Sequence, residues 1–416
     1  MAGERRGIRI LRIAVSALPL ALLVPRATGC TGRDAEIVQP ASIDAGLLDT
    51  FVASDSTPDT SDESQPDADL DAGVSDAALS PVEFGVNPTI AAGDGGTGVE
   101  VTLAQIQTLG AGSRAGSFVV GYDALIDDSG GTDDAAFALL SATSATYAQH
   151  GASIALTLAI VDGEQDARPS ALAASWTSGT ATAAIEAVID HAFASGGNSL
   201  AYLSFGYETD RFLAKASATD RAGFVALADH ALDYARNHPK RPTALKVGVG
   251  FTLDALLGSG TSEQATLLGH SDLPFVSYLP LDPMFQAIEP HAAAQNLATL
   301  ADASASQVVL LDVAYPSSQG AGSSPDQQRM FFDALLPTLS EHRDRFPFVA
   351  IEGLFDRDLA SCTAESARYG APSNSALLAA LCSLGLMTNA STGDGGASEK
   401  PAWASVLAAL SAFRSP

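Results

Sequence analysis

From residue 81 onward, short apolar and β-branched runs alternate with longer alanine-rich runs whose polar positions recur at helical spacing. Eight of the short runs read as buried strands: 82–87, 117–125, 153–161, 200–205, 244–251, 275–279, 308–313 and 348–355. Helices are predicted over 102–109, 133–150, 180–194, 218–237, 291–303 and 324–342, with two more at 374–384 and 403–413. Several open on polar starters, such as Thr132 before Asp133 and Asp134. Apolar strands separated by amphipathic helices are the pattern of parallel βα units. Eight such units over about 330 residues predict an α/β fold of the (β/α)8 TIM-barrel type. An open doubly wound sheet fits less well, because no glycine fingerprint follows the first strand.

The chain before residue 81 follows other rules. Arg5, Arg6, Arg9 and Arg12 precede an apolar run, 13–24, that is short for a membrane span. Residues 1–29 therefore read as an export signal. Ala27-Thr28-Gly29-Cys30 resembles the bacterial lipobox, although that pattern has Leu where Ala27 stands. The resemblance implies cleavage before Cys30, lipid on its thiol and, with Thr31 following, residence at the outer membrane. Residues 30–80 carry twelve acidic side chains against one base, Arg33, among Ser, Thr, Pro, Ala and Gly. Such a stretch buries too little apolar surface to offset ordering entropy, so a disordered acidic tether is expected. The third segment, 81–416, is the barrel.

A formal charge of −26 excludes the clustered basic surface that nucleic acid requires. Membrane contact is expected through the lipid alone, and the barrel is expected to be a monomer. Two cysteines remain, Cys362 and Cys382; in an exported chain such a leftover pair points to a disulfide. The seven histidines are scattered and no H-E-x-x-H occurs, so neither a metal nor a cofactor is expected.

Candidate chemistry lies at the strand ends, where barrels of this kind place their sites. The fourth strand runs Leu203-Ser204-Phe205-Gly206-Tyr207-Glu208 and delivers a carboxylate where its apolar run stops. The seventh, Val308 to Asp312, does the same. Strands four and seven face one another across a ring of eight, so Glu208 and Asp312 can converge on one cleft. Glycoside hydrolysis uses such a pair, one carboxyl protonating the leaving oxygen while the other attacks or activates water. Tyr278, on the sixth strand, is expected beside Asp312, donating a hydrogen bond to it.

Further stretches resemble clan A retaining glycoside hydrolases, including endo-β-1,3-glucanases and arabinogalactan endo-β-1,4-galactanases. Gly206-Tyr207-Glu208 stands where those families have Gly-Asn-Glu, and Asp312-Val313-Ala314-Tyr315-Pro316-Ser317 where they have Glu-x-Gly/Ala-Trp/Tyr-Pro-Ser. Tyr278-Leu279-Pro280-Leu281, Gly322-Ser323-Ser324 with Gln328, Leu384-Gly385-Leu386 and Lys400-Pro401-Ala402-Trp403 match other family stretches. The resemblance implies Glu208 as acid/base, Asp312 in the nucleophile position and a β-linked polysaccharide or oligosaccharide as partner. The departures are Tyr207 for the sugar-contacting Asn, Asp312 for Glu, and no Trp at the end of strand eight.

Two functional classes fit these residues: an active surface-anchored glycosidase, or a catalytically inactive barrel that binds glycan or serves as a scaffold. An esterase lacks its G-x-S-x-G elbow. Tyr207, Tyr122, Tyr315 and Trp176 are candidates for lining the sugar cleft; packing is the alternative for each.

Overall fold

The computed structural model describes residues 82–88, 105, 107–126, 130–389 and 397–413. The export signal, Cys30 and the acidic tether lie outside the described residues. Eight parallel strand positions follow in chain order: β1 (Glu83–Val86), β2 (Ala115–Gly121), β3 (Ser153–Asp162), β4 (Leu200–Tyr207), β5 in two pieces (Lys246–Gly248 and Gly250–Thr252), β6 (Phe275–Tyr278), β7 (Val309–Val313) and β8 (Phe348–Ile351). From β2 onward each pairs with the next, and β1 pairs with β8, Glu83 to Val86 lying beside Phe348 to Ile351. β5 serves both halves: its first piece pairs with β4 and its second with β6.

The join between β1 and β2 closes the ring with few bonds. Arg114 N–H donates to Phe84 O at 2.9 Å, Val86 N–H to Ser113 Oγ at 3.1 Å, and Ser117 N–H to Asn87 Oδ1 at 2.7 Å. Gly85 permits this approach, since a Cβ there would sit 2.0 Å from Ala115 O.

The helices that bear on the site are α1 (Asp134–Gln149), α2 (Gly179–Gly196), α3 (Thr209–Lys215), α4 (Ala218–Asn237), α5 (Ser262–Gly269), α6 (Pro290–Ala303), α7 (Pro325–Glu341), α8 (Leu359–Arg368), α9 (Ser375–Leu381) and α10 (Pro401–Ala412). Side-chain caps at Asp133, Ser178, Ser217 and Ser324 start α1, α2, α4 and α7. Large and small side chains alternate inside the ring: Ala115, Ala155, Tyr202, Phe275, Leu311 and Phe348 share one cluster. The two larger clusters lie between strands and helices.

Three local differences from the sequence reading have physical causes. β2 ends at Gly121, and 122–125 forms a helical turn, because Tyr122 and Leu125 bury their side chains from it. β8 ends at Ile351, four residues early, where the chain turns to let Asp356 meet Lys400. Helices α3, α5 and α8 were not expected; they are short, and α8 has polar and small residues over most of its length. Among the described residues, no helix is long and apolar enough to cross a membrane.

Candidate active site

Glu208 follows β4 through a turn that the chain holds under constraint. Gly206 has φ +90° and Glu208 itself has φ 47° and ψ 47°, a left-handed conformation uncommon outside glycine. Such a residue costs on the order of 1–3 kcal/mol and persists where neighbours over-determine it. Here the neighbours are on β5. The Thr209 hydroxyl donates to Gly250 O, and the Asp210 carboxylate accepts from Thr252 N at 2.8 Å and from Thr252 Oγ1 at 2.9 Å. Burial raises the Asp210 pKa; the two Thr252 donors oppose the rise and the charge of Glu208 adds to it.

Glu208 is 3% exposed and has three side-chain partners. Oε1 accepts from Ser277 Oγ at 3.0 Å and from Tyr369 Oη at 3.2 Å, while Oε2 accepts from Arg211 Nε at 2.7 Å. Burial alone would lower the Arg211 pKa, but the adjacent carboxylate of Glu208, with Tyr369 and Asp210, carries it above its ordinary value. The Arg211 guanidinium also lies over the Tyr369 ring, 4.7 Å from its centroid.

Asp312, near the end of β7, is 6% exposed. Its Oδ1 accepts from Asn87 Nδ2 at 2.8 Å, and the Asn87 carbonyl is held by Ser117 N–H. Asp312 stands in register with Ser277, so both project to the interior, and Ser277 bridges towards Glu208. Glu208 and Asp312, with Tyr207, Ser277, Glu352 and Tyr369, line one cavity at the C-terminal ends of the strands.

That cavity is small. It has about 20 Å3 of room for water-sized centres, which is enough for a single water. A pyranose ring does not fit. What closes it is the stretch 352–384 after β8, which carries α8 and α9 and is stapled by a disulfide between Cys362 and Cys382, with Cα atoms 5.5 Å apart. Tyr369, directly after α8, reaches down to Glu208. Arg357 pairs with Glu352 and lies 3.5 Å from Glu365; Arg368 lies 3.5 Å from Glu365 and pairs with Asp162, at the end of β3, at 3.1 Å.

The remaining sequence candidates are placed elsewhere. Tyr278 lines the cavity, but its hydroxyl donates to Ala293 O on α6 at 2.7 Å and accepts from Asn296, not towards Asp312. The expected Tyr278–Asp312 hydrogen bond is therefore corrected. Side chains alternate along a strand, so the residue pointing inward from β6 is Ser277. Tyr315 is fully buried, stacked on Phe331 at 4.8 Å, with its hydroxyl on Ile288 O. Tyr122 is likewise fully buried, among the side chains packed between strands and helices. Trp176 borders an open hollow of about 400 Å3 between the loop after β3 and α4. Its ring is 5% exposed, covered on one face by Arg168 at 3.4 Å, packed edge-on to Phe212 and Phe224, and its Nε1 donates to Asp220. These three pack rather than line the cleft. Tyr207 alone of the four lining candidates borders the cavity.

Residues that the sequence reading missed are Asn87, Ser277, Arg211, Tyr369 and the charged set Asp162, Arg357, Glu365 and Arg368. Asn87 and Ser277 carried a signal, being polar residues within apolar strand runs. Arg211 also carried one, standing three residues after Glu208. Tyr369 and the charged set carried none, because Tyr369 meets Glu208 and Arg368 meets Asp162 only across long stretches of chain. Among the described residues, no group of three or more His, Cys, Asp or Glu is placed to hold a metal ion.

The family stretches quoted from the sequence meet in one clasp beside the site. Gln328 Nε2 reaches the carbonyls of Tyr315 at 2.8 Å and of Leu384 and Gly385 at 3.2 Å. Ser323 Oγ donates to Pro316 O at 2.7 Å. Lys400 Nζ reaches Asp356 Oδ1 at 2.5 Å, Ser317 Oγ at 2.8 Å, Gly385 O at 2.8 Å and Ser383 O at 3.2 Å. Much of the resemblance is thus carried by residues that tie loops together, not by residues facing the cavity.

No family model matches the chain, and no curated protein matches it. Solved structures do. A variant of the GH5_18 protein of Bifidobacterium longum subsp. longum ATCC 55813, in complex with Manb1-4GlcNAc, superposes with a TM-score of 0.60 at 15% identity, covering 80% of this chain and 79% of that one. The exo-beta-1,4-mannosidase Op5Man5 from Opitutaceae bacterium strain TAV5 gives a TM-score of 0.58 at 13% identity, over 80% of this chain and 60% of that one. A beta-glucosidase, 1317, gives 0.53 at 12% identity, over 79% and 92%. At these identities the likeness is one of fold: an α/β architecture resembling the clan A (β/α)8 barrels of GH5 and GH1 glycoside hydrolases.

Proposed function

We propose that this protein is a glycoside hydrolase-like protein that acts on β-linked oligosaccharide or polysaccharide, with Glu208 as acid/base and Asp312 in the nucleophile position. The observation that carries the reading is the meeting of these two carboxylates, from β4 and β7, in one cavity at the strand ends of a glycosidase-like barrel. The left-handed backbone at Glu208 supports it, since strain of this kind gathers at functional sites. In the proposed reaction Glu208, having taken up a proton from solvent, gives that proton to the glycosidic oxygen as the C1–O bond breaks. Asp312 either bonds C1, to be displaced later by water, or takes a proton from a water that attacks C1 directly. Either route requires that a sugar displace Tyr369 from Glu208. Among similar structures, the complexes with Manb1-4GlcNAc make a β-linked disaccharide the first substrate to try.

A second reading, a barrel that binds glycan or acts as a scaffold without turnover, is favoured by one observation. The cavity holds no more than a water, with Ser277, Tyr369 and Arg211 engaging both carboxylate oxygens of Glu208. The test is release of sugar from β-mannan, β-glucan and β-galactan oligosaccharides by the domain, with Glu208→Gln as control. Turnover that is lost in the variant supports hydrolysis. Calorimetric binding with no turnover selects the second reading, and turnover equal in both proteins removes Glu208 from the chemistry.

We further propose that the protein is lipid-anchored at Cys30 in the bacterial envelope, at the outer membrane. The basic and apolar leader supports this, and the disulfide suits an oxidising compartment. Cys30→Ser should move the protein from the membrane fraction to the soluble fraction; a chain that stays with the membrane is not held by that thiol.

A further inference from the structure

The proposed chemistry needs a sugar against Glu208 and Asp312, and the cavity between them has room for about one water. We infer that residues 357–382, within the stretch 352–384 after β8, are a stapled gate over the site, latched on Glu208 by Tyr369 together with Arg211. This inference rests on the proposed glycan reading and names what regulates entry to that site.

The gate is built as a unit. The disulfide joins Cys362 in α8 to Cys382 just after α9, so the two helices move together. Cys362, Leu377, Leu381 and Leu384 form their own small apolar cluster, shared with Leu279 and Phe285 from the loop after β6 and distinct from the clusters that hold the ring. Such satellite clusters under long loops open independently of a main core. Its apolar contacts to the strand ends are few, chiefly Ala314 after β7 and Leu279 after β6, and the rest are polar: Tyr369 to Glu208, Arg368 to Asp162, and Arg357 to Glu352. When these separate, both partners recover hydration, so the net change is far smaller than the strength of each bond.

The latch sits on the carboxylate that the substrate must reach. Tyr369 Oη occupies Glu208 Oε1, Arg211 occupies Oε2, and ring and guanidinium stack on each other. A glycosidic oxygen arriving at Oε1 takes the place of the tyrosine hydroxyl. Sugar binding and gate opening are then linked, because a ligand that binds only the open form shifts the protein towards it.

Hydrogen exchange on the full, oxidised chain tests the gate without requiring turnover. Amides of α8 and α9 should exchange at least tenfold faster than those of β3 and β4. Tyr369→Phe, which removes one hydroxyl and keeps the ring, should speed α8 and α9 a further three- to tenfold and leave β3 unchanged. Reducing the disulfide should speed α8 and α9 unequally. Roof amides as slow as those of β3 and β4, or unmoved by Tyr369→Phe, overturn the gate. The two proposals separate cleanly: an independently opening roof on a chain without turnover supports the gate and removes the activity, whereas turnover with a roof as protected as the strands removes the gate and keeps the activity.

Discussion

Lys400→Met is expected to lower the stability of the domain by about 3–5 kcal/mol, the cost of breaking a buried ion pair by deleting one partner. Lys400 is 6% exposed and the Asp356 side chain 16% exposed, so the pair is largely shielded from bulk water as folded. The ammonium serves four acceptors from three stretches of chain: Asp356 after β8, Ser317 after β7, and the carbonyls of Ser383 and Gly385. Methionine keeps most of the stem packing and removes every one of those bonds. What remains is a buried carboxylate whose remaining donor is Gly385 N–H at 3.0 Å. Burial pushes the Asp356 pKa up and the Lys400 pKa down, each opposed by the partner's charge, which is the mark of a pair whose desolvation is offset only while both members are present. Against a total stability of roughly 5–15 kcal/mol the loss is large, and the midpoint of thermal unfolding should fall by roughly 10 °C. The double variant Lys400→Met with Asp356→Leu should recover at least half of it, because no charge is then stranded. A midpoint that moves by less than about 3 °C for Lys400→Met would show the clasp to be incidental.

The same clasp explains what could be seen in the sequence. The strand and helix rhythm was legible because parallel strands buried on both faces are continuously apolar, and eight of them leave little choice of architecture. The positions of Glu208 and Asp312 were legible for a related reason: a carboxylate at the end of an apolar run is conspicuous. Their environment was not. Tyr278 looked like a partner for Asp312 because it is next to the right residue in sequence, but a shift of one along a strand reverses the face, and Ser277 took the inward place. Tyr122, Tyr315 and Trp176 were candidates by residue type alone. Burial decides the role of all three, with a hydroxyl partner for Tyr315 and an indole partner for Trp176, and neither is written in local pattern.

The roof was the least legible part. Helix α8 is short and buries mainly small or polar side chains, Cys362, Glu365 and Ser366, and its Arg368 meets Asp162 at the end of β3 only after the ring closes. Yet it decides the state of the site, since it supplies Tyr369 and reduces the cavity to one water. A reading confined to strand ends therefore finds the two carboxylates and misses what stands between them and a substrate.

Asp312→Asn and Glu208→Gln are each expected to lower kcat by about 100- to 10,000-fold on a β-linked disaccharide, the usual range for removing a general acid, base or nucleophile. Asp312→Glu is the more informative change, and its sign is argued from two opposing effects. Aspartate places its carboxylate about 1.5 Å short of where the glutamate of the resembling families would reach, and a displacement of about 1 Å can cost on the order of 100-fold. Extension restores reach. It also moves the carboxylate away from Asn87 Nδ2, which now holds Oδ1 at 2.8 Å and thereby fixes its direction. The space for extension exists, because the cavity beside Asp312 has room for about one water. Loss of one hydrogen bond to a charged group is worth about 1.5–3 kcal/mol of positioning, while recovery of 1 Å of reach is worth about 2.7 kcal/mol at 100-fold. The two nearly balance if Asn87 cannot follow, and reach wins if the asparagine amide reorients to the longer side chain. Asn87 is held through its carbonyl by Ser117 N–H, which leaves the amide end free to tilt. A rise of roughly tenfold in kcat with KM within about threefold is therefore the expected result. Reduced turnover in Asp312→Glu would mean either that Asn87 does not follow or that Asp312 is the base for an attacking water, which needs the space the shorter side chain leaves; inversion at the anomeric carbon of the released sugar selects the second.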